Sequence, residues 1–362
     1  MQFLEASFSG FRNLKEKPFV FDRINIICGD NANGKTNLVE GLYLFTGAKS
    51  FRGAKRAELI AFGQEKAVLQ SRFFAEGREQ TAKLELGETK TAWLNGVKKK
   101  SPLALGEAVH AVVFSPDHLR LVKDGPGERR RFLDQALGQI RPKYRLLLGE
   151  YERCLAQRNK LLKDARTFRE LEDMLAVWDE TLASRGAAVL YQRKKYVEKI
   201  TPPFETVLNG ISGGRERGHL RLSGGFDEEA ETQEEIRRSL LKRLQQSRAD
   251  DIATGTTSAG PHRSDLQIEI GGKSARAFAS QGQSRSAVIA LKLAEAAVLE
   301  EMCGTKPVIL LDDVMSELDA GRQQYVMEKI CGYQIFITCC DRAAVHSAAA
   351  GKILTIKDGE EV

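Results

Sequence analysis

From Gly29 the chain reads Gly29-Asp30-Asn31-Ala32-Asn33-Gly34-Lys35-Thr36, the G-x-x-x-x-G-K-T spacing of a phosphate-binding P-loop. Each residue type answers a need of that chemistry. Gly29 and Gly34 let the backbone turn tightly and bring its N–H groups to phosphate oxygens. Lys35 reaches the β- and γ-phosphates, and the Thr36 hydroxyl can ligate Mg²⁺. The loop needs a strand before it and a helix after it, aimed N-terminus first at the anion. The apolar run Ile24–Cys28 and the stretch Leu38–Phe45 supply both.

Further reactive groups stand in the C-terminal third. Val308-Ile309-Leu310-Leu311-Asp312-Asp313 is an apolar run ending in two carboxylates. In P-loop ATPases such a strand lies beside the P-loop strand and its first acid holds Mg²⁺. Asp312 would then join Thr36 at the metal, and Asp313 would orient or deprotonate the attacking water. Taken alone, the run also fits a buried parallel strand with a polar end. Upstream, Ser280-Gln281-Gly282-Gln283 precedes an amphipathic helix expected over 286–302. Ser280, Gly282 and Gln283 there suit a second anion site or an ordinary helix cap. In the order P-loop, this motif, acidic strand, the segment looks like the signature motif of ABC-type ATPases, which meets the γ-phosphate on the opposite subunit. Ser316-Glu317-Leu318-Asp319 resembles their D-loop. Ile335-Phe336-Ile337-Thr338 reads as one more parallel strand, with Thr338 at the switch position.

The elements that position these groups follow from periodicity. Residues 1–28 read as two strands around a turn at Phe11–Leu14, where Arg12 is either a surface arginine or a neighbour of the P-loop. A basic loop, Lys49–Gly53, follows the P-loop helix. Residues 67–97 alternate apolar and polar between glycine breaks, an antiparallel meander. Lys98-Lys99-Lys100 is either a solvated face or a phosphate-backbone contact. Val112–Phe114 is a further buried strand. From about residue 126 to 250 the spacing turns helical, with Pro202-Pro203 expected to end the long helix, a strand-like His219–Leu222, and a charged helix over 228–246. Most of the chain separates Lys35 from Asp312, so an inserted helical arm (126–250) is expected within a head of 1–125 and 251–362.

The chain has 362 residues, 42% hydrophobic and 29% charged, with a formal charge of +6 and pI about 8.9. This is an ordinary globular composition whose mild basicity permits nucleic acid without requiring it. Six cysteines have no C-x-x-C pair and no zinc-like spacing; several sit in apolar runs, which suits reduced thiols in a cytosolic setting. No secretory signal and no membrane-length apolar window are evident.

Together these motifs resemble the RecF family, bacterial ABC-type DNA-repair ATPases related to SMC and Rad50 heads. The resemblance runs through Phe11-Arg12-Asn13, Gly29–Thr36, Phe114–Asp117, Arg129–Asp134, Gly260-Pro261-His262-Arg263, Ser280–Arg285, Leu311–Asp313 and Ser316–Asp319. It implies an α/β ABC-type ATPase head, a mixed sheet with helices and an antiparallel β subdomain, carrying the helical arm. It implies two chains closing over two ATP molecules with Mg²⁺ and clamping single- and double-stranded DNA at gaps and junctions. It also implies work with RecR and RecO to load RecA, fork recovery and the SOS response, and a cytoplasmic, nucleoid-associated location away from membranes. Arg12, by likeness to Rad50 heads, becomes a nucleotide contact. Two departures from the wider ABC pattern stand out: Asp313 replaces the usual Glu, and Thr338 the usual His. Both imply slow hydrolysis by a weak ATPase. The rival readings are a small-molecule P-loop kinase, an ABC transporter's ATP-binding subunit, and a structural head that binds ATP without hydrolysing it.

Overall fold

The computed structural model describes residues 1–340 and 351–362. The strands, in chain order, are β1 (Gln2–Ser9), β2 (Phe19–Val20), β3 (Ile24–Cys28), β4 (Ala67–Ala75), β5 (Arg78–Leu86), β6 (Lys90–Leu94), β7 (Val97–Lys98), β8 (Ala111–Phe114), β9 (Gly218–Ser223), β10 (Asp265–Ile270), β11 (Lys273–Ser274), β12 (Val308–Asp312), β13 (Ile335–Cys339), β14 (Lys352–Lys357) and β15 (Glu360–Glu361). The helices are α1 (Lys35–Leu44), α2 (Arg56–Leu59), α3 (Pro126–Ile140), α4 (Pro142–Ala165), α5 (Leu175–Ile211), α6 (Gln233–Gln246), α7 (Arg248–Thr254), α8 (Ala275–Phe278), α9 (Gln281–Cys303) and α10 (Ala320–Lys329).

The chain divides into two compact units: Met1–Leu121 with Pro203–Arg217 and Ser280–Val362, and Val122–Pro202 with Gly218–Ala279. The first holds two sheets. One is antiparallel, in the order β2-β1-β4-β5-β6-β7, and its alternation of buried and exposed residues is the period-2 pattern of a one-sided core. The other runs β15-β14-β3-β13-β12-β8 and is parallel from β14 to β8. Its central strands β12 and β13 are buried along their whole length, as strands covered on both faces must be. A single core gathers Phe3 and Phe8 of the first sheet, Leu38 and Leu42 of α1, and Leu310 and Phe336 of the second. Helix α1 is buried nearly all round, at eight of its residues including Lys35 and Glu40.

Four expectations change. Residues 1–28 form three strands, and β3 leaves the sheet of β1 and β2 to join the parallel one. Helix α5 runs through Pro202-Pro203 to Ile211. Two prolines remove two helix donors. Burial of Ile200, Phe204 and Leu208, each at 0% exposure, offsets that loss, and the Thr201 hydroxyl donates to the Val197 carbonyl at 2.6 Å. The chain returns to the first unit over Pro203–Arg217, inside the expected arm, and finally at Ser280 rather than 251, because β10 pairs with β9 over six residues inside the second unit. The charged helix starts at Gln233, where Thr232 caps the Glu235 N–H at 3.2 Å.

The second unit is organised by buried ionic groups. Arg158, fully buried, donates to Asp179 and Asp251, both at 2.8 Å. His262 Nε2 lies 2.9 Å from the Thr257 carbonyl, which only an N–H can satisfy, so Nδ1 accepts from Tyr151 Oη at 2.5 Å. Burial pulls the His262 pKa down to about 4. In the first unit, burial followed by the N-terminal ammonium does the same to His110. Both histidines are thus neutral when folded and protonate first when unfolded. The folded state should lose stability as pH falls from about 6.5 to about 4, by up to about 3 kcal/mol per histidine. Urea unfolding across that range should show a shallower pH dependence for His262→Gln than for the parent chain; parallel curves would exclude the effect.

Candidate nucleotide site

The loop between β3 and α1 is held open by backbone geometry. Gly29 sits at φ 147° and Gly34 at φ 106°. A Cβ on Gly29 would collide with the Ile356 carbonyl, and one on Gly34 would lie 2.9 Å from Asn13 Oδ1. Both positions therefore exclude side chains on two counts. Ala32 also adopts a left-handed φ, 68°. Helix α1 begins at Gly34 without a side-chain cap, and its first intrahelical bond is Leu38 N–H to the Gly34 carbonyl, 2.9 Å. The N–H groups of Lys35, Thr36 and Asn37 thus remain directed out of the helix end, as an anion site requires. Lys35 is buried, and its Nζ donates to the carbonyls of Gly29 (2.5 Å) and Asp30 (3.0 Å), lying across the loop mouth. Asn31 Oδ1 accepts from Cys340 Sγ at 3.0 Å. Asn33 closes the loop by an N–H bond to the Asp30 carbonyl, 3.4 Å.

The acidic strand meets this loop, though not as its direct neighbour. The expected pairing of β12 with β3 is corrected: β13 lies between them, in parallel register with both. The inserted strand brings its own polar end residue into the site. Asp312 Oδ1 accepts from Thr36 Oγ1 (2.9 Å) and from Thr338 Oγ1 (3.1 Å). Thr338 Oγ1 in turn accepts from the Asp313 N–H at 2.8 Å. Burial raises the Asp312 pKa, against the lowering effect of the two hydroxyl bonds. Asp313 is exposed, at φ 52°, with the Ser316 hydroxyl donating to its carbonyl at 2.9 Å.

The signature segment forms a second cluster. Helix α9 starts at Gln281, five residues before the expected 286, because Ser280 and Gln283 make a reciprocal capping box. Ser280 Oγ accepts from Gln283 N–H (3.1 Å) and Gln283 Oε1 from Ser280 N–H (2.9 Å). Arg322 ties this turn to Asp319: it donates to the Gly282 carbonyl (3.3 Å), to Ser286 Oγ (3.1 Å) and to the Asp319 carboxylate. Asp319 caps α10 and is held below the ordinary carboxylate range, first by the Arg322 N–H. Among the described residues, no hydrogen bond or ion pair joins Ser280, Gly282, Gln283 or Asp319 to the P-loop.

Arg12 is placed beside the P-loop helix. Its Nε and Nη2 form a fork on Glu40 of α1, at 3.0 and 3.2 Å. Glu40 is 0% exposed and also receives the Ser50 hydroxyl, with Arg52 at 3.7 Å. Asn13 next door donates to the Ala32 carbonyl (2.9 Å) and accepts from Asn37 (2.8 Å), bracing both ends of the loop. The signal of Glu40 in the sequence is a lone carboxylate inside the apolar run Leu38–Leu44. Of the cysteines, Cys331 and Cys340 are exposed and not core thiols.

Comparison with known proteins places this geometry. Residues 4–361 match the RecF/RecN/SMC N terminal domain family. The DNA replication and repair protein RecF of Caldanaerobacter subterraneus subsp. tengcongensis is 38% identical over 358 residues, covering 98% of each chain. That of Acetivibrio thermocellus is 34% identical over 351 residues, covering 96% of this chain and 95% of its own. The solved structure of the recombination mediator protein RecF-ATPrS in the RecFOR pathway superposes with a TM-score of 0.93 at 36% identity, over 99% of this chain and 97% of that one. An Smc head domain from Pyrococcus furiosus, 18% identical with a TM-score of 0.54 over 99% of this chain and 94% of that one, shares the fold. Among the described residues no helix is long and apolar enough to cross a membrane.

Glu40→Ala should leave the Arg12 guanidinium beside a buried, unmatched space and cost about 3–5 kcal/mol of stability. Chemical unfolding would measure it, and a loss under about 1 kcal/mol would show the pair to be dispensable.

Proposed function

This chain belongs to the RecF family, and from that premise we propose that it is an ATP-gated DNA clamp of recombinational repair. One observation carries the reading: the hydroxyls of Thr36 and Thr338, from distant segments, converge on one carboxylate oxygen of Asp312.

The donor set fits Mg²⁺. A carboxylate and a hydroxyl are hard oxygen ligands, and Mg²⁺ takes one or two protein oxygens and completes its shell with water and phosphate. Thr36 and Asp312 would hold it, and when bound it neutralises phosphate charge. The backbone from Gly29 through Asp30, Asn31, Ala32, Asn33 and Gly34 cradles the phosphates of ATP, and Lys35 exchanges its two carbonyl partners for phosphate oxygens. Arg12, oriented by Glu40, is a further nucleotide contact. Asp313 carries its exposed carboxylate on a strained backbone and orients the attacking water. Thr338 has one hydroxyl proton and donates it to Asp312 while accepting from the Asp313 N–H. It has no proton left for a phosphate, and the short Asp313 side chain reaches less far than Glu. Both features favour slow hydrolysis, with ATP governing a clamp rather than driving a motor.

The Ser280–Gly282–Gln283 turn, joined to Asp319 by Arg322, presents an anion-seeking helix end without a bond to its own chain's P-loop. We take it to complete the site of a second copy, so that two chains close over two ATP. The family resemblance then supplies the target, single- and double-stranded DNA at gaps and junctions, and the partners RecR and RecO in promoting RecA loading, fork recovery and the SOS response.

Sedimentation with and without ATP and gapped DNA tests the closure. Lys35→Ala should abolish ATP-dependent dimerisation. Ser280→Arg should bind ATP as a monomer yet fail to dimerise; equal loss of both would place the signature in cis. Single-turnover hydrolysis that is fast without DNA would contradict the slow-clamp reading.

A further inference from the structure

Two basic segments far apart in sequence meet on the first unit. The loop after α1 runs Lys49-Ser50-Phe51-Arg52-Gly53-Ala54-Lys55-Arg56, and the turn leaving β7 runs Lys98-Lys99-Lys100. Their roots are in contact. A Cβ on Gly47 would strike the Pro102 carbonyl and lie 3.0 Å from Leu103 Cα, and Lys90 Nζ donates to the Ala48 carbonyl at 3.0 Å. Neither segment contains an acid. Lys49, Lys55, Arg56, Lys98 and Lys100 are exposed and Lys99 half-buried, and among the described residues none of the six forms an ion pair. The two segments together carry six cations without an ion-pair partner, a concentration of positive charge that attracts a polyanion. Arg72, exposed on the same unit, shows the contrasting arrangement, matched by Glu5 and Glu79. Trp93 adds an aromatic face at the edge of the patch, with Lys98 Nζ 5.9 Å and Lys83 Nζ 4.9 Å from its ring centroid.

We propose that the Lys49–Arg56 loop and the Lys98–Lys100 turn form one contact surface for the phosphate backbone of nucleic acid. The proposal rests on the DNA-clamp reading and gives that reading a place on the protein. Backbone recognition is the chemistry this surface can do: point charges on flexible stems neutralise phosphates and release counterions without reading bases. The surface is also wired to the nucleotide site. Arg52, in the middle of the loop, donates to Asn37 Oδ1 at 3.2 Å and lies 3.7 Å from Glu40, both on the P-loop helix. The carboxylate that orients Arg12 therefore also anchors the DNA-facing loop.

The test compares binding of a fluorescent gapped duplex by the full chain, by Lys98→Glu/Lys99→Glu/Lys100→Glu, by Lys49→Glu/Lys55→Glu, and by a control on the second unit that matches the latter in charge, Lys242→Glu/Arg243→Glu, each at several salt concentrations with ATP. ATP affinity of every variant, read separately, reports that the P-loop is intact. The two patch variants should bind at least about tenfold more weakly and lose about one unit of salt slope per phosphate contact removed, while the control keeps both. Parent-like binding by the patch variants, or equal loss in the control, would overturn the patch and leave the clamp standing. A parent chain that binds no gapped, single-stranded or duplex DNA would overturn the clamp reading and the patch with it.

Discussion

One buried oxygen organises the nucleotide site. Asp312 Oδ1 receives hydroxyls from Thr36 and Thr338, so the P-loop helix, the acidic strand and the strand between them are fixed to a common point. Burial works against the charge on this carboxyl, and the two hydroxyls restore part of what water would supply. The same arrangement commits Thr338's proton, which links the geometry of the strand order directly to the slow chemistry proposed for the site.

Around that point the first unit is built to keep α1 still. The helix lies between two sheets, buried on nearly every side, and its one internal carboxylate, Glu40, is met by Arg12, Ser50 and Arg52. An ion so deeply buried is retained only when hydrogen bonds surround it. Here those bonds reach out to the turn after β1 and to the basic loop, so a displacement of α1 is felt at both. Asn13 does the same for the P-loop backbone. The second unit shows a parallel solution, with Arg158 bonded to both Asp179 and Asp251, Arg248 bonded to Asp179 as well, and two aromatic groups, Tyr151 and His262, sharing a hydrogen bond.

The signature turn illustrates how a local rule and a tertiary contact divide labour. The capping box of Ser280 and Gln283 starts α9 by itself, satisfying two helix donors within four residues. Arg322 then couples that helix end to Asp319 at the start of α10. Two helix N-termini are held together by one guanidinium, and neither end bonds to the P-loop of its own chain among the described residues.

The sequence by itself determined what is local. The loop Gly29–Thr36, the meander of residues 67–97 and the apolar run ending in Asp312 are legible because backbone freedom and side-chain period act over a few residues. The family follows from their order. Tertiary structure decided what depends on partners remote in the chain. Strand β13 came between β3 and β12, since strand order in a parallel sheet is set by how crossovers are covered rather than by any strand's own residues. Helix α5 passed through Pro202-Pro203, since burial of Phe204 and Leu208 outweighs a local helix-breaking preference. The later return to the first unit, at Ser280, came from the pairing of β10 with β9. That Arg12 lies against the P-loop helix through Glu40 was decided by the tertiary structure, because an ion pair has no signature in the sequence around either member.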